Sequence, residues 1–128
     1  MTRQELRERM RVFATAVGEF AWPLVRFPEA EDQVRQLLAS TSAIGANYVA
    51  AGDGRSRREF KAKLGVSLEE ADETVYWLEY FSHHPRAQKT AIPPLLDEAR
   101  QLAKILGKSW STLERNDGLD RVRRRPRR

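Results

Sequence analysis

The chain has 128 residues, of which 41% are hydrophobic and 32% charged; it contains no cysteine and carries a formal net charge of +5. That composition excludes a disulfide scaffold, a thiol nucleophile, a Cys-ligated metal site and a low-complexity chain, and a length of this order supports one domain that buries roughly two thirds of its unfolded surface. The charge is local: Leu119 to Arg128 holds six arginines and one aspartate, and removing these from totals of 23 basic and 18 acidic residues leaves 17 of each in the other 118.

The first predicted helix runs from about Thr2 to Ala21, with Leu6, Met10, Phe13, Val17, Phe20 and Leu24 spaced by threes and fours on one face. Pro23 ends it, and Arg26, Phe27 and Pro28 make a turn. In the second helix Glu29, Glu31 and Asp32 face the positive end of the dipole, and Val34, Leu37/Leu38, Thr41, Ile44/Gly45 and Tyr48 recur every seven residues. Its later half is rich in small residues (Ala39, Ser40, Ser42, Ala43, Gly45, Ala46, Ala50, Ala51), which admit a close helix neighbour. Gly52 is expected to end it in a left-handed conformation, and Asp53 and Gly54 to reverse the chain.

Ser56 followed by Glu59 predicts a capping box opening the third helix. Phe60, Leu64, Ser67/Leu68, Ala71, Val75, Leu78 and Phe81 form its stripe, Tyr76 and Trp77 widen it, and the helix stops near Ser82, before His83 and His84. The fourth stripe is Ile92, Leu95/Leu96, Ala99, Leu102/Ala103, Leu106, Trp110 and Leu113, with Pro93 and Pro94 in the opening turn and a stop expected at Asn116 and Gly118. The expected architecture is therefore all-α: an antiparallel up-down-up-down four-helix bundle over residues 1–118, then an Arg-rich tail over 119–128 with no structure of its own. No apolar run approaches the ~20 residues of a membrane span, and the N-terminus lacks a signal peptide's apolar core, so a cytoplasmic protein is expected.

The middle of the chain resembles a known family. Ser42-Ala43-Ile44-Gly45-Ala46-Asn47-Tyr48, Ser56-Arg57-Arg58-Glu59-Phe60, Lys63-Leu64-Gly65-Val66, Glu69-Glu70-Ala71-Asp72-Glu73-Thr74 and Tyr76-Trp77-Leu78 are similar to the signature of the four-helix bundle proteins. These include proteins encoded in intervening sequences of bacterial 23S rRNA genes, with the Avd accessory proteins of diversity-generating retroelements as fold relatives. The likeness is close over about residues 33 to 81. It implies a ring-like homopentamer without enzymatic activity and, for Avd-type relatives, binding of nucleic acid and of a reverse transcriptase.

No residue set converges on catalysis or on a cofactor. His83 and His84 are adjacent and diverge, no Glu-x-x-His pattern is present, and the acidic run at Glu69, Glu70, Asp72 and Glu73 has no histidine to join it. Asn47, on the inner part of helix two, is expected to bond across the bundle or a subunit interface and so fix register. Tyr48, Tyr76 and Trp77 are assigned to packing and assembly.

The functional argument rests on cations. Arg55, Arg57, Arg58, Lys61 and Lys63 crowd the start of helix three, where each opposes the helix dipole at about 0.3–1 kcal/mol. Two accounts stand: they bind phosphate, or they pair with acidic residues of a neighbouring subunit. Arg121, Arg123, Arg124, Arg125, Arg127 and Arg128 present guanidinium forks to phosphate oxygens, and five such tails on one ring act at high effective concentration. The reading is a non-enzymatic nucleic-acid-binding bundle, RNA favoured, in its sharpest form an Avd-like partner of a reverse transcriptase. The alternative is a structural or protein-interaction scaffold of the 23S rRNA intervening-sequence protein type, with no direct nucleic-acid role.

Overall fold

Thr2 and Glu5 open α1 (Arg3–Ala21) with a reciprocal cap, the Thr2 hydroxyl accepting the Glu5 amide at 3.1 Å and the Glu5 carboxylate accepting the Thr2 amide at 3.0 Å. Pro23 does not break the chain into an open turn; Trp22–Arg26 tightens into a 3-10 segment that buries Leu24. Helix α2 (Glu31–Gly52), α3 (Arg57–Ser82) and α4 (Ile92–Arg123) follow, with a short 3-10 segment over Lys89–Ala91 before α4. The computed structural model describes residues 1–124 and 126; the arginines at 125, 127 and 128 lie outside the described residues.

The four helices form an antiparallel bundle. Leu6, Met10, Phe13 and Val17 of α1, Val34, Leu37 and Ile44 of α2, Leu64, Ala71, Leu78 and Phe81 of α3, and Ile92, Ala99, Leu102 and Leu106 of α4 make one buried core. These are the expected stripes, with Thr74 buried where Val75 was expected and Val75 packed at the margin. Small hydroxyl residues add polar bridges between α2 and α3. Ser67 donates to the Ile44 carbonyl at 2.7 Å, and Thr74 meets Ser40 at 3.0 Å, while Ser40 and Thr41 donate to the Leu37 carbonyl. Buried hydroxyls cost stability unless paired, and among the described residues no buried side-chain polar atom lacks a partner.

Four local expectations change. Gly52 is not left-handed, because no described residue has a positive φ; α2 ends on Asp53 at φ −92°, and the glycine that the turn requires is Gly54. A Cβ on Gly54 would lie 3.0 Å from the Ala51 carbonyl oxygen and 3.2 Å from the Phe60 amide nitrogen, both backbone atoms. At α3 the Ser56 half of the capping box forms, at 3.1 Å from the Glu59 amide, but the Glu59 carboxylate accepts the Arg55 amide and not that of Ser56. Within the chain Asn47 does not reach across the bundle; its amide donates to the Ala43 carbonyl one turn back at 2.9 Å. Finally, α4 does not stop at Gly118, and Leu119 to Arg123 is helical.

Candidate nucleic-acid interface

An antiparallel pair puts the start of α3 beside the end of α4, and one packing contact sets their height. Gly65 of α3 offers bare backbone to the Trp110 indole, whose Nε1 is 3.3 Å from where a Cβ would stand. One turn nearer the start of α3, the Lys61 ammonium sits 5.1 Å from the centre of the same indole ring. Past Trp110, Glu114, Asp117 and Asp120 lie three residues apart and face α3. Lys61 bonds Asp117 at 2.9 Å and also Glu114; Arg57 meets Asp117 at 3.3 Å and Asp120 at 3.7 Å; Arg121 reaches Glu114 at 3.6 Å.

These pairs explain why α4 passes Gly118. A glycine inside a helix costs about 1 kcal/mol relative to alanine, yet Asp117 and Asp120 on either side of it are anchored to α3, and Arg121 and Arg123 sit favourably at the negative end of the dipole. The hydrogen bond from Lys61 holds the Asp117 carboxyl below its ordinary range, helped by the charges of Arg57 and Arg121. Glu114 and Asp117 push Lys61 up in turn. A depressed carboxylate contributes stability that is present above its unfolded value, about 3.9, and lost as pH falls through the folded value. The melting-temperature difference between the wild type and Asp117→Asn is therefore expected to be constant from pH 5 to 8 and to shrink below about pH 4. A difference that survived to pH 2 would show that the charge on Asp117 is not what holds α4.

The pairs line an open cleft of about 580 Å³ between the two helix ends. Arg57, Arg58, Lys61, Arg121 and Arg124 meet Glu114, Asp117 and Asp120 there, five cations to three carboxylates. Of the expected phosphate-binding residues, Arg57, Lys61 and Arg121 are engaged, and their acidic partners belong to the same chain. Arg58 and Arg124 have no ion pair among the described residues, and both are exposed. Arg55 and Lys63 are exposed outside the cleft, and Arg123 is exposed on the last turn of α4. Arg125, Arg127 and Arg128, also expected to bind nucleic acid, lie outside the described residues.

The assembly candidates fall elsewhere. Tyr48 is half-buried beside Arg3, Arg7 and Phe60; burial pushes its phenol up, against the pull of the two arginines. Tyr76 is 59% exposed and stands edge-on to Trp77, which donates to Glu73 and leads through Tyr80 to the buried Phe81. Residue-by-residue reading missed Glu114, Asp117 and Asp120. Their signal was present as three carboxylates at a spacing of three on α4, opposite two cations at a spacing of four on α3.

Fold and site together define an all-helical bundle with a charged cleft at one pole, in which no described helix is long and apolar enough to cross a membrane. Among solved structures the chain is similar to a protein of unknown function from the S23 ribosomal protein family of Bacteroides thetaiotaomicron. The TM-score is 0.75 at 27% sequence identity, over 82% of this chain and 97% of that one. No family model matches the chain. No curated protein matches it.

Proposed function

We propose that the chain is a non-catalytic, cytoplasmic nucleic-acid-binding member of the four-helix bundle protein family, which holds RNA through the arginines at the end of α4. One observation carries this reading: the cleft holds two more cations than carboxylates, Arg58 and Arg124 there have no ion pair among the described residues, and Arg124 is followed in sequence by Arg125, Arg127 and Arg128. Guanidinium groups in such number bind phosphate oxygens without regard to base sequence. The similarity to the S23-family protein and the resemblance over residues 33 to 81 support the family assignment. Assembly as a homopentamer serving a reverse transcriptase is the sharpest form of the reading, and light scattering of the purified chain measures the subunit number.

The test compares the whole chain with a variant carrying Arg58, Arg123, Arg124, Arg125, Arg127 and Arg128 as glutamine, which leaves every described ion pair of the cleft intact. Fluorescence anisotropy with a single-stranded RNA oligonucleotide is expected to show a loss of at least 100-fold for the variant, in line with the salt dependence of phosphate contacts. Equal affinities would refute the reading. The scaffold alternative is favoured by a different observation, that Arg57 and Lys61 already have carboxylate partners within the chain. On that alternative the glutamine variant assembles normally and neither protein binds RNA.

A further inference from the structure

Arg57 and Lys61 line a cleft that is open to solvent, and the carboxylates they hold come from α4 of the same chain. Carboxylate and phosphate oxygens are interchangeable acceptors for a guanidinium fork or an ammonium. The contacts are exchangeable ones: the side chains of Arg57, Asp117 and Asp120 are 48%, 30% and 45% exposed, and ion pairs of that kind are weak and screened by salt. Lys61 is the most enclosed at 20%, yet its ammonium still faces the cleft.

We infer that the cleft is a second phosphate-binding seat whose occupants in the free protein are the carboxylates of Asp117, Asp120 and Glu114. A nucleic-acid backbone drawn in by the terminal arginines exchanges its phosphates for these carboxylates on Arg57 and Lys61. The acidic residues of α4 thus act as an internal competitor that lowers affinity and flattens its salt dependence, because each displaced carboxylate recovers a counterion when a phosphate releases one. The inference rests on the reading of the protein as a nucleic-acid binder.

The experiment is a charge cycle on the full chain, read by anisotropy with a single-stranded RNA oligonucleotide over a range of salt. Asp117→Asn with Asp120→Asn keeps size and polarity and removes the competing charge. This variant is expected to bind about tenfold more tightly, with a log–log salt slope steeper by about 1.4, the value for two further phosphates on a single strand. A control with the same change of net charge, Asp53→Asn with Asp72→Asn, lies outside the cleft and is expected to change affinity less than twofold. Adding Arg57→Gln and Lys61→Gln to the cleft variant is expected to abolish its gain.

If the control gains as much as the cleft variant, the effect is general charge and the inference fails. It fails equally if the cleft variant binds no better than wild type, since the carboxylates then position the cations and do not compete. In both cases a wild type that still binds RNA with a steep salt slope leaves the function standing. Only a wild type that binds no RNA removes both.

Discussion

In 50 mM salt the chain is expected to bind single-stranded RNA about 300-fold more tightly than in 200 mM. Each phosphate neutralised on a single strand contributes a slope of about −0.7 in log affinity against log salt, so six contacts give about −4, and a fourfold rise in salt multiplies through to that loss. The six are the arginines from Arg121 to Arg128. Arg121 retains 72% exposure of its side chain despite its contact with Glu114, and Arg123 and Arg124, the last residue of α4 and the one after it, are exposed. Arg57 and Lys61 are left out of the number because carboxylates already hold them. Titration by anisotropy at four or five salt concentrations measures the slope. A slope shallower than about −1 would mean that the tail binds no phosphate backbone.

Phe81→Ala is expected to destabilise the bundle by about 3–5 kcal/mol, the usual cost of emptying a core position of that size. Phe81 is fully buried and stands edge-on to Phe20 of α1 and to its neighbour Tyr80, with their ring centres 6.1 and 5.2 Å away. The neighbours have little room to collapse into the gap, because Phe20 comes from another helix and His84 is held by the Arg86 amide on its Nδ1. A domain of this size has only about 5–15 kcal/mol in hand, so the denaturation midpoint should fall far enough to read in a single urea titration. A loss below about 1 kcal/mol would show that this end of the core is not sealed. Phe81 lies 24 residues along α3 from Arg57, about 36 Å at the rise of a helix, so the folded fraction of the variant should bind RNA as the wild type does.

How much of this was legible in the sequence depends on the range of the interaction. The core stripes were legible because a helix repeats its buried face every three or four residues, and the Ser56 cap because it spans three. At the α2/α3 turn the reversal at Asp53 and Gly54 was legible but the left-handed end at Gly52 was not, since Gly52 and Gly54 differ in which backbone atoms crowd them, and that is a property of the closed turn. Within the chain Asn47 does not bond across the bundle, for a similar reason: an amide on an inner face can satisfy itself on its own helix, and the pattern of residue types does not reveal it. The candidate site was half legible. Its cations stood out as an excess of charge, but their carboxylates lie 53 to 63 residues away and were hidden in a body that is formally neutral. A Gly118 stop was the natural reading of a glycine near a charged end, and it gave way because flanking aspartates are held by α3 from outside and Arg121 and Arg123 complement the dipole.

Gly65 is the one glycine of α3, and Trp110 rests against it. The indole is a key with a single notch, so the height of α4 along α3 is decided by shape before any charge is considered. Glu114, Asp117 and Asp120 then arrive level with Lys61 and Arg57 as passengers of that fit. A cation that trades one anion for another therefore leaves the key seated, and the bundle can change its electrostatic partners without sliding a helix.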